Sequence, residues 1–354
     1  MEKVTIYDIA KKLEVSPASV TRALNGLPKV GAKKRELIIN TAMEMGYTPN
    51  RAATSLSRKQ ICVEAVVYGA ITEFYQDIIN GINAAYEELK DFNFKVNLHI
   101  LDKGTDSEKS LCELLDSFRS SKTGAVLIYS VIDTPNVATG LDRLISDGVP
   151  VMVINSPIST TQPHYSVYPN GEMAGRMAAE ILDWGTREKN ICFFMGDPDT
   201  GILRHNNFGF LKEAEERGLS IVGKFYDYGV AHRAINYFGE FIESVSCKID
   251  GIYINSAVSN SICKGFYEKG LLKNHNIIAS DLGKDIIHYI NQGFMPATIF
   301  QNPFKQGFEG LSGLYAITSG YKDIEGTRLV NPTIICKSNV QYYSAFASEK
   351  QLGG

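Results

Sequence analysis

From Cys62 to about residue 300, short apolar segments alternate with longer amphipathic ones, and this alternation limits the possible folds more than any other feature. Short, continuously apolar segments are typical of buried parallel strands, and longer amphipathic segments are typical of covering helices. The predicted strands form two series, 63–68, 95–101, 125–129 and 151–154, then 190–195, 221–228, 251–255 and 277–280. The predicted helices are 75–89, 108–120, 135–146, 170–184, 204–217, 231–244, 259–269 and 284–291. Two series predict two similar lobes, each a doubly wound parallel sheet with helices on both faces.

Several classes of site lack their sequence motifs. No GxGxxG or GxxxxGK[ST] motif follows a predicted strand, so the nucleotide-binding versions of such a fold lack support. No GxSxG motif and no paired His–Cys or His–Ser arrangement is present, which disfavours an enzyme. The six cysteines and six histidines are scattered, without CxxC or HExxH spacing. We therefore expect reduced cysteines, no metal and no cofactor.

Charge is distributed unevenly along the chain. Residues 1–60 contain eleven Lys or Arg residues against five Asp or Glu residues, a net charge of +6, whereas the remaining residues have a net charge of −9. This asymmetry indicates a polyanion-binding segment followed by one that does not bind polyanions. No segment has the roughly 20 apolar residues of a membrane span, and residues 1–5 do not begin an apolar signal sequence. We expect a cytoplasmic protein with no membrane partner.

Residues 1–49, here called the head, show three short helical patterns. Thr5 precedes the first as an N-cap with Asp8 at the third helical position, which is capping-box spacing. Ser16 precedes the second, and Pro17 occupies its first position, where a missing N–H costs nothing. The third covers residues 32–45, with Leu37 among the residues expected to face inward. Two short helices with almost no connection, supported by a third, predict a helix-turn-helix.

The detailed strings of the head are more specific than its helical spacing. Residues 4–10 read VTIYDIA, residues 15–25 read VSPASVTRALN, and residues 46–50 read GYTPN. These strings resemble the lactose/galactose repressor (LacI–GalR) family almost position for position. Arg35 also matches, whereas Gly31 departs from the usual Ser-type cap. The resemblance implies that the second helix lies in the major groove of double-stranded operator DNA.

A recognition helix presents its N-terminal residues to the base edges. Arg22 can donate two hydrogen bonds to guanine, whereas Pro17 and Ala18 can offer only apolar contact, for example to a thymine methyl. The polar side chains nearby are predicted to contact phosphates. They are Thr5, Tyr7, Ser16, Ser19, Thr21 and Asn25.

Residues 50–60 contain an isolated apolar residue, Leu56, within a polar and basic segment. By composition alone this segment is an ordinary linker. In the resembled family it is a hinge helix that orders on operator DNA and inserts a leucine into the minor groove, and the resemblance gives that role to Leu56. The predicted DNA-binding set therefore includes Asn50, Arg51, Ala53 and Leu56.

Polar and aromatic residues follow the carboxyl ends of the predicted strands, where ligands of such sheets bind. They are Phe74, Tyr75, Tyr129 and Asn155 in the first series, and Asp197, Arg204, Asn255, Asp281 and Gln301 in the second. Aromatic faces with planar polar groups suit a polyhydroxylated ligand. Residues 61–346, here called the body, resemble the sugar-binding-protein fold that serves as the sensor in the same family. The resemblance implies a sugar-like small-molecule effector, although Asn155 and Ser256 stand where sugar binders often have Asp.

These features predict an α/β protein with an all-α helix-turn-helix head and a two-lobed body similar to periplasmic binding proteins. The expected bounds are 1–49 for the head, 50–60 for the hinge, 61–346 for the body and 347–354 for the tail. Lobe one is expected at about 61–165 and 300–326, and lobe two at about 166–299 and 327–346. We expect an effector-controlled transcriptional regulator, favoured as a repressor, that acts as a homodimer or larger oligomer. A solute receptor for transport and an α/β enzyme are the alternatives.

Overall fold

The computed structural model describes residues 4–24, 29–47, 60–68, 73–101, 107–121, 123–129, 132–196, 201–228, 230–272, 274–320 and 326–343. The chain divides into two compact units, Met1–Lys59 and Gln60–Gly354. The first unit contains the head, and the second contains the body.

Three helices form the head: α1 (Ile6–Lys12), α2 (Pro17–Leu24) and α3 (Ala32–Glu44). The predicted capping box begins α1, because the Asp8 backbone amide donates to Thr5 Oγ1 at 3.4 Å and the Thr5 backbone amide donates to Asp8 Oδ2 at 2.8 Å. The core of the head consists of Ile9, Ala10, Val20, Ala23, Ile38 and Ala42. Leu37, expected to face inward, is 54% exposed, because Ile38, about 100° further around the helix, takes the inward position.

The first sheet of the body defines lobe one and contains β1 (Ile61–Tyr68), β2 (Phe94–Leu101), β3 (Ala125–Tyr129), β4 (Val151–Ile154), β5 (Tyr165–Pro169) and β11 (Thr327–Val330). Its order is β11–β5–β4–β3–β1–β2, with every pair parallel. The helices of this lobe are α4 (Glu73–Leu89), α5 (Ser107–Ser120), α6 (Pro135–Ser146) and α12 (Pro303–Thr318). Strands β3 and β4 are buried along their whole length, which explains their uninterrupted apolar sequence.

The second sheet defines lobe two and contains β6 (Asn190–Met195), β7 (Ser220–Tyr226), β8 (Gly251–Asn255), β9 (Asn276–Ser280), β10 (Ala297–Phe300) and β12 (Thr333–Cys336). Its order is β12–β10–β9–β8–β6–β7, and only the β10–β12 pair is antiparallel. The helices of this lobe are α7 (Gly171–Gly185), α8 (Gly201–Glu216), α9 (Ala231–Ser244), α10 (Ser259–Glu268) and α11 (Lys284–Asn291). The doubly wound architecture expected for both lobes is therefore present.

The structure moves two of the expected boundaries between the lobes. Residues 166–169, placed in lobe two by the sequence, belong to β5, which pairs with β4 in lobe one. Residues 327–330, also placed in lobe two, form β11, which pairs with β5. The chain therefore passes between the lobes after β5, after β10 and after β11. Strands β5 and β11 read YSVYP and TRLV and lack the continuous apolar sequence of β3 and β4, and β12 lies beyond the last predicted element.

Each lobe contains a pair of helices in backbone contact. A Cβ atom on Gly81 of α4 would overlap the carbonyl oxygen of Phe304 in α12. A Cβ atom on Gly175 of α7 would overlap the carbonyl oxygen of Asn206 in α8. Only glycine allows two backbones to approach this closely. These two helix–helix contacts fix the positions of α4, α8 and α12, whose first turns follow the carboxyl ends of β1, β6 and β10.

Within the described ranges, no helix combines the length and the apolar character needed to cross a membrane. The same residues contain no group of three or more His, Cys, Asp or Glu side chains arranged to hold a metal ion. All six cysteines lie in described ranges and are free thiols, of which Cys192 and Cys263 are buried.

Candidate functional site

Helix α2 of the head has one buried and one exposed face. Val20 and Ala23 pack into the head core, whereas Pro17, Ala18 and Arg22 are exposed. Ala18 and Arg22 are four residues apart and therefore share a face. The first turn of α2 contains no acidic residue, so that helix does not offset the partial positive charge of its own N-terminus. This face can meet a polyanion.

Four of the residues predicted to contact phosphates, Thr5, Ser16, Ser19 and Thr21, make local side-chain hydrogen bonds. The Thr5 hydroxyl donates to Asp8 in the capping box. Ser16 Oγ accepts the Ser19 amide at 3.2 Å, and the Thr21 hydroxyl donates to the Pro17 carbonyl at 3.0 Å. These hydroxyls order α1 and α2, whereas Tyr7 is 72% exposed. The predicted residues Asn25, Asn50, Arg51, Ala53 and Leu56 lie outside the described residues.

In the body, the strand ends of lobe one bring three predicted aromatic residues together. Tyr75 lies edge to face with Tyr129 at a ring separation of 5.3 Å and with Phe74 at 6.0 Å. Tyr129 is buried, and burial raises the pKa of its hydroxyl well above the ordinary value. The hydroxyl is therefore a neutral hydrogen-bonding group beside the aromatic faces.

Asn155 follows β4 in lobe one and is buried. Its Nδ2 donates to Gln306 Oε1 in α12 at 3.0 Å. Asn255, at the end of β8 in lobe two, is fully buried; its Nδ2 donates to Asn207 Oδ1 at 2.7 Å, and its Oδ1 accepts the Ser280 hydroxyl at 3.4 Å. Both amides are thus engaged by neighbouring side chains, whereas the sequence predicted that they contact a ligand.

Asp281 directly follows β9, at the carboxyl end of that strand in lobe two. Gln301 donates to it twice, from its amide N–H to Oδ1 at 3.3 Å and from Nε2 to Oδ2 at 2.9 Å. Burial raises the pKa of Asp281 to about 7, although both hydrogen bonds from Gln301 lower it and the Asp77 carboxylate raises it further. Asp281 and Gln301, both predicted from the sequence as ligand-binding residues, are thus hydrogen-bonded to each other, with Asp281 as the acceptor.

Arg204 lies in the first turn of α8 and is exposed. The same turn approaches lobe one, since a Cβ atom on Gly201 would stand 2.9 Å from Pro157 Cγ, just beyond Asn155. The guanidinium group is therefore on the turn of lobe two that meets the strand ends of lobe one. Asp197, the remaining predicted ligand residue, lies outside the described residues.

Two carboxylates of α4 were missed by the sequence reasoning. Burial raises the pKa of Asp77 to about 6, with Glu73 adding to the increase and a hydrogen bond from Asn80 opposing it. Glu73 Oε2 accepts the amide of Lys284, the first residue of α11, at 3.2 Å, so it joins the two lobes. The helical spacing of Asp77, three residues after Phe74, could have placed both on one face.

A cavity of about 900 Å³ lies beside α12, and Asp77 of the group described above lines it. Its walls are mainly apolar and include Phe300, Phe304 and Phe308, with Arg328 and Glu309 paired at 3.0 Å. None of the eight described residues predicted to bind a ligand lines it. The convergence of aromatic, amide and charged groups therefore marks the strand ends, and not this cavity, as the candidate ligand site.

Two family models match the chain. Residues 5–50 match "Bacterial regulatory proteins, lacI family", and residues 64–322 match "Periplasmic binding protein domain". The second match begins within β1 and ends after α12, so it includes parts of both lobes and the first two of the three crossings between them.

Three curated relatives have similar sequences. The regulator MalR of Staphylococcus xylosus is 24% identical over 345 residues, covering 94% of this chain and 96% of that protein. Catabolite control protein A of Priestia megaterium is 26% identical, covering 64% of this chain and 68% of that protein. DegA of Bacillus subtilis is 26% identical, covering 62% of this chain and 63% of that regulator, so this match spans less than two thirds of DegA.

Solved structures with a similar fold include both regulators and solute-binding proteins. The Lac repressor dimer bound to operator and an anti-inducer has a TM-score of 0.64 at 18% identity, covering 94% of this chain and 98% of that one. The complex of the transcriptional regulator CelR with cellobiose has a TM-score of 0.64 at 17% identity and the same coverage. A carbohydrate-transporter solute-binding protein from Agrobacterium radiobacter, in complex with D-arabinose, has a TM-score of 0.69 at 18% identity, covering 82% of this chain and 99% of that one. At these identities the likeness establishes the fold alone.

Proposed function

We propose, since this chain belongs to the LacI family of bacterial regulatory proteins, that it is a DNA-binding transcriptional regulator whose operator affinity is controlled by a small polar effector. The observation that supports this best is the combination, in one chain, of an exposed recognition-type helix with a two-lobed body whose strand ends gather aromatic and polar side chains. A solute receptor needs only the body, and an enzyme needs a reactive group that no motif indicates.

The head is proposed to bind double-stranded operator DNA through the exposed face of α2. Arg22 reads guanine, because its guanidinium group can donate to O6 and N7 together. Pro17 and Ala18 contact apolar base edges, and the local bonds of Ser16 and Thr21 hold the helix in register. Two heads are needed for a palindromic site, so the acting form is proposed to be a homodimer or larger, located in the cytoplasm.

The effector is proposed to lie between the lobes at the strand ends. Phe74 and Tyr75 cover its C–H faces from lobe one, while Arg204 donates to it and Asp281 accepts from it in lobe two. These are the requirements of a polyhydroxylated ligand. The similar structures include complexes with D-arabinose and with cellobiose, and sugars of this kind are the first candidates.

The DNA assignment is tested by selecting duplexes from a random pool with the full-length protein. Arg22→Ala should cost about 1–3 kcal/mol at one base pair of the selected site and relax the preference there. Lys33→Ala, which removes an exposed charge from α3, is the control and should weaken all duplexes alike. An equal loss for both variants on selected and random DNA would contradict base reading by Arg22.

The effector assignment is tested by thermal unfolding of the full-length protein in D-arabinose, D-allose, D-tagatose and cellobiose. A ligand that binds only the folded state raises the melting temperature. The sugar that does so should also change the affinity for the selected duplex, and Arg204→Ala should abolish that change while sparing binding without sugar. Stabilisation together with turnover of the sugar would favour the enzyme alternative.

A further inference from the structure

Four residues form one hydrogen-bonded chain, here called the relay, that runs from lobe one to lobe two and passes through the backbone of Gln301. Asn155 Nδ2 donates to Gln306 Oε1 at 3.0 Å, and Gln306 Nε2 donates to the carbonyl oxygen of Gln301 at 2.9 Å. Gln301 then donates to both oxygens of Asp281. Gln306 is fully buried in α12, so water does not replace these bonds. Gln306 has no place among the residues that the sequence assigned to ligand binding.

The direction of the relay is determined by one atom. The carbonyl oxygen of Gln301 can only accept, so the Gln306 amide must present its nitrogen to Gln301 and its oxygen to Asn155. Asn155 must in turn present Nδ2. Since every donor points toward lobe two, the relay ends on a carboxylate that only accepts. Gln301 donates one hydrogen bond to each oxygen of Asp281, so each oxygen keeps acceptor capacity for a further donor.

The relay also connects the elements that separate when the lobes move apart. Asn155 and Gln306 belong to lobe one, Gln301 lies on the crossing after β10, and Asp281 belongs to lobe two. A change in the crossing therefore moves the donors of Asp281 relative to their acceptor.

We propose that Gln306 is a positioning residue for the effector: held by Asn155, it orients Gln301 so that Asp281 presents a fixed acceptor to a ligand hydroxyl. This inference rests on the proposed function, because it assigns Asp281 as an effector contact. The relay thereby selects ligands with a hydroxyl donor at that position, since a group without a proton to donate would leave the remaining acceptor positions of the buried carboxylate unfilled.

The first measurement needs no effector. In the full-length protein labelled with ¹³C at Asp side chains, the Asp281 signal, assigned by its absence in Asp281→Asn, is followed against pH. Groups that act on this carboxyl are Asp77 from α4, Tyr129 from β3 and Tyr253 from β8, besides the donors of Gln301. Gln306→Met keeps the side-chain volume and removes both relay bonds. It should move the titration midpoint of Asp281 upward by about one pH unit, because looser Gln301 donors favour the carboxylate less.

Leu311→Ala is the control, because Leu311 is fully buried on the same helix and makes no relay bond. It should lower the melting temperature while leaving the Asp281 midpoint unchanged. Asn155→Gly is a second variant that tolerates the left-handed backbone of Asn155 and should shift the midpoint in the same direction as Gln306→Met, by less. An Asp281 midpoint in Gln306→Met equal to that in Leu311→Ala would overturn the proposal.

The second measurement is calorimetric titration with D-arabinose, D-allose, D-tagatose and cellobiose. For a sugar that binds the parent, Gln306→Met should reduce affinity about tenfold and Leu311→Ala should not. Equal affinity in both variants would remove the positioning role. If none of the sugars binds the parent while the midpoint shifts as expected, the proposed effector class is contradicted and the relay itself is supported.

Discussion

The fourth strands of the two lobes end in the same backbone conformation but in different chemistry. Asn155 after β4 has a φ of 71°, and Asp281 after β9 has a φ of 65°. The Asn155 amide donates to Val167 in the next strand at 2.9 Å, and the Asp281 amide donates to Ile299 at 2.8 Å. One side chain is a neutral amide engaged by α12, and the other is a carboxyl whose burial raises its pKa to about 7.

The backbone conformation restricts the residue types that these two positions tolerate. A left-handed φ is tolerated by Gly, Asn and Asp far better than by other residues. Each lobe therefore selects among an absent side chain, an amide and a carboxyl. Lobe one has Asn155, a neutral amide whose burial costs less free energy than burial of a carboxylate. Lobe two has Asp281, whose carboxylate costs the most free energy to bury and is the strongest hydrogen-bond acceptor of the three choices.

The largest expected effect on stability concerns a feature that the two lobes share, the close helix–helix contacts at Gly81 and Gly175. Gly175→Val in lobe two and Gly81→Val in lobe one should each reduce the free energy of unfolding by at least about 3 kcal/mol, because a side chain would displace the backbone of the facing helix. Denaturant unfolding measures both. Gly239→Ala in α9, where a Cβ atom meets nothing within 4 Å, is the control and should stabilise by about 0.5–1 kcal/mol. Valine variants as stable as the parent would contradict the helix contacts.

Asp281→Asn makes the two strand ends chemically alike. The native pKa of about 7 exceeds the ordinary 3.8, so the folded state binds more protons and the free energy of unfolding falls as pH rises from about 4 to about 7. The variant should lose that fall and be more stable than the parent by up to about 4 kcal/mol at pH 8. Gln301 can rotate its amide to bond the new Asn. Parallel pH profiles of unfolding for parent and variant would refute the buried carboxylate.

Asn155→Asp produces the opposite change in lobe one. Above the pKa of the new carboxyl, its oxygen faces Gln306 Oε1, an acceptor, so the variant should lose about 2 kcal/mol at pH 8. At low pH the protonated carboxyl donates to Gln306 again, and stability should return to the parent value. Thermal unfolding at pH 5 and pH 8 measures the contrast. A loss that is equal at both pH values would mean that shape, and not charge, distinguishes the two positions.

The smallest effect is expected at the contact between the lobes. Glu73→Gln weakens the bond to the Lys284 amide and removes a charge from the N-terminus of α11, which should cost about 0.3–1 kcal/mol. It should also lower the pKa of Asp77 from about 6, because Glu73 contributes to that increase. NMR titration of Asp77 reads the second effect. An unchanged Asp77 midpoint would show that the two carboxylates of α4 do not interact.

The sequence predicted the elements whose signals are local. The bounds of α6, α9 and α11 and of β3, β4, β6 and β8 match the structure residue for residue. Helix α12, with the strands β5, β10, β11 and β12, was not assigned, and the two misplaced lobe boundaries follow from the missed β5 and β11. These two strands pair with each other, and a pairing between segments so distant in sequence leaves no local pattern.

The sequence by itself determined the order of the helices and strands from α1 to α11 except β5, the capping box at Thr5 and Asp8, the exposed Arg22 and the presence of polar residues at the strand ends. These features depend on spacings of a few residues. Only the tertiary structure decided that Asn155 and Asn255 are hydrogen-bonded by neighbouring side chains, that Asp77 raises the pKa of Asp281, and that Gln306 connects the lobes. The physical reason is that hydrogen bonds and burial depend on distance in space, and Asn155, Gln306 and Asp281 meet only after the chain has crossed between the lobes.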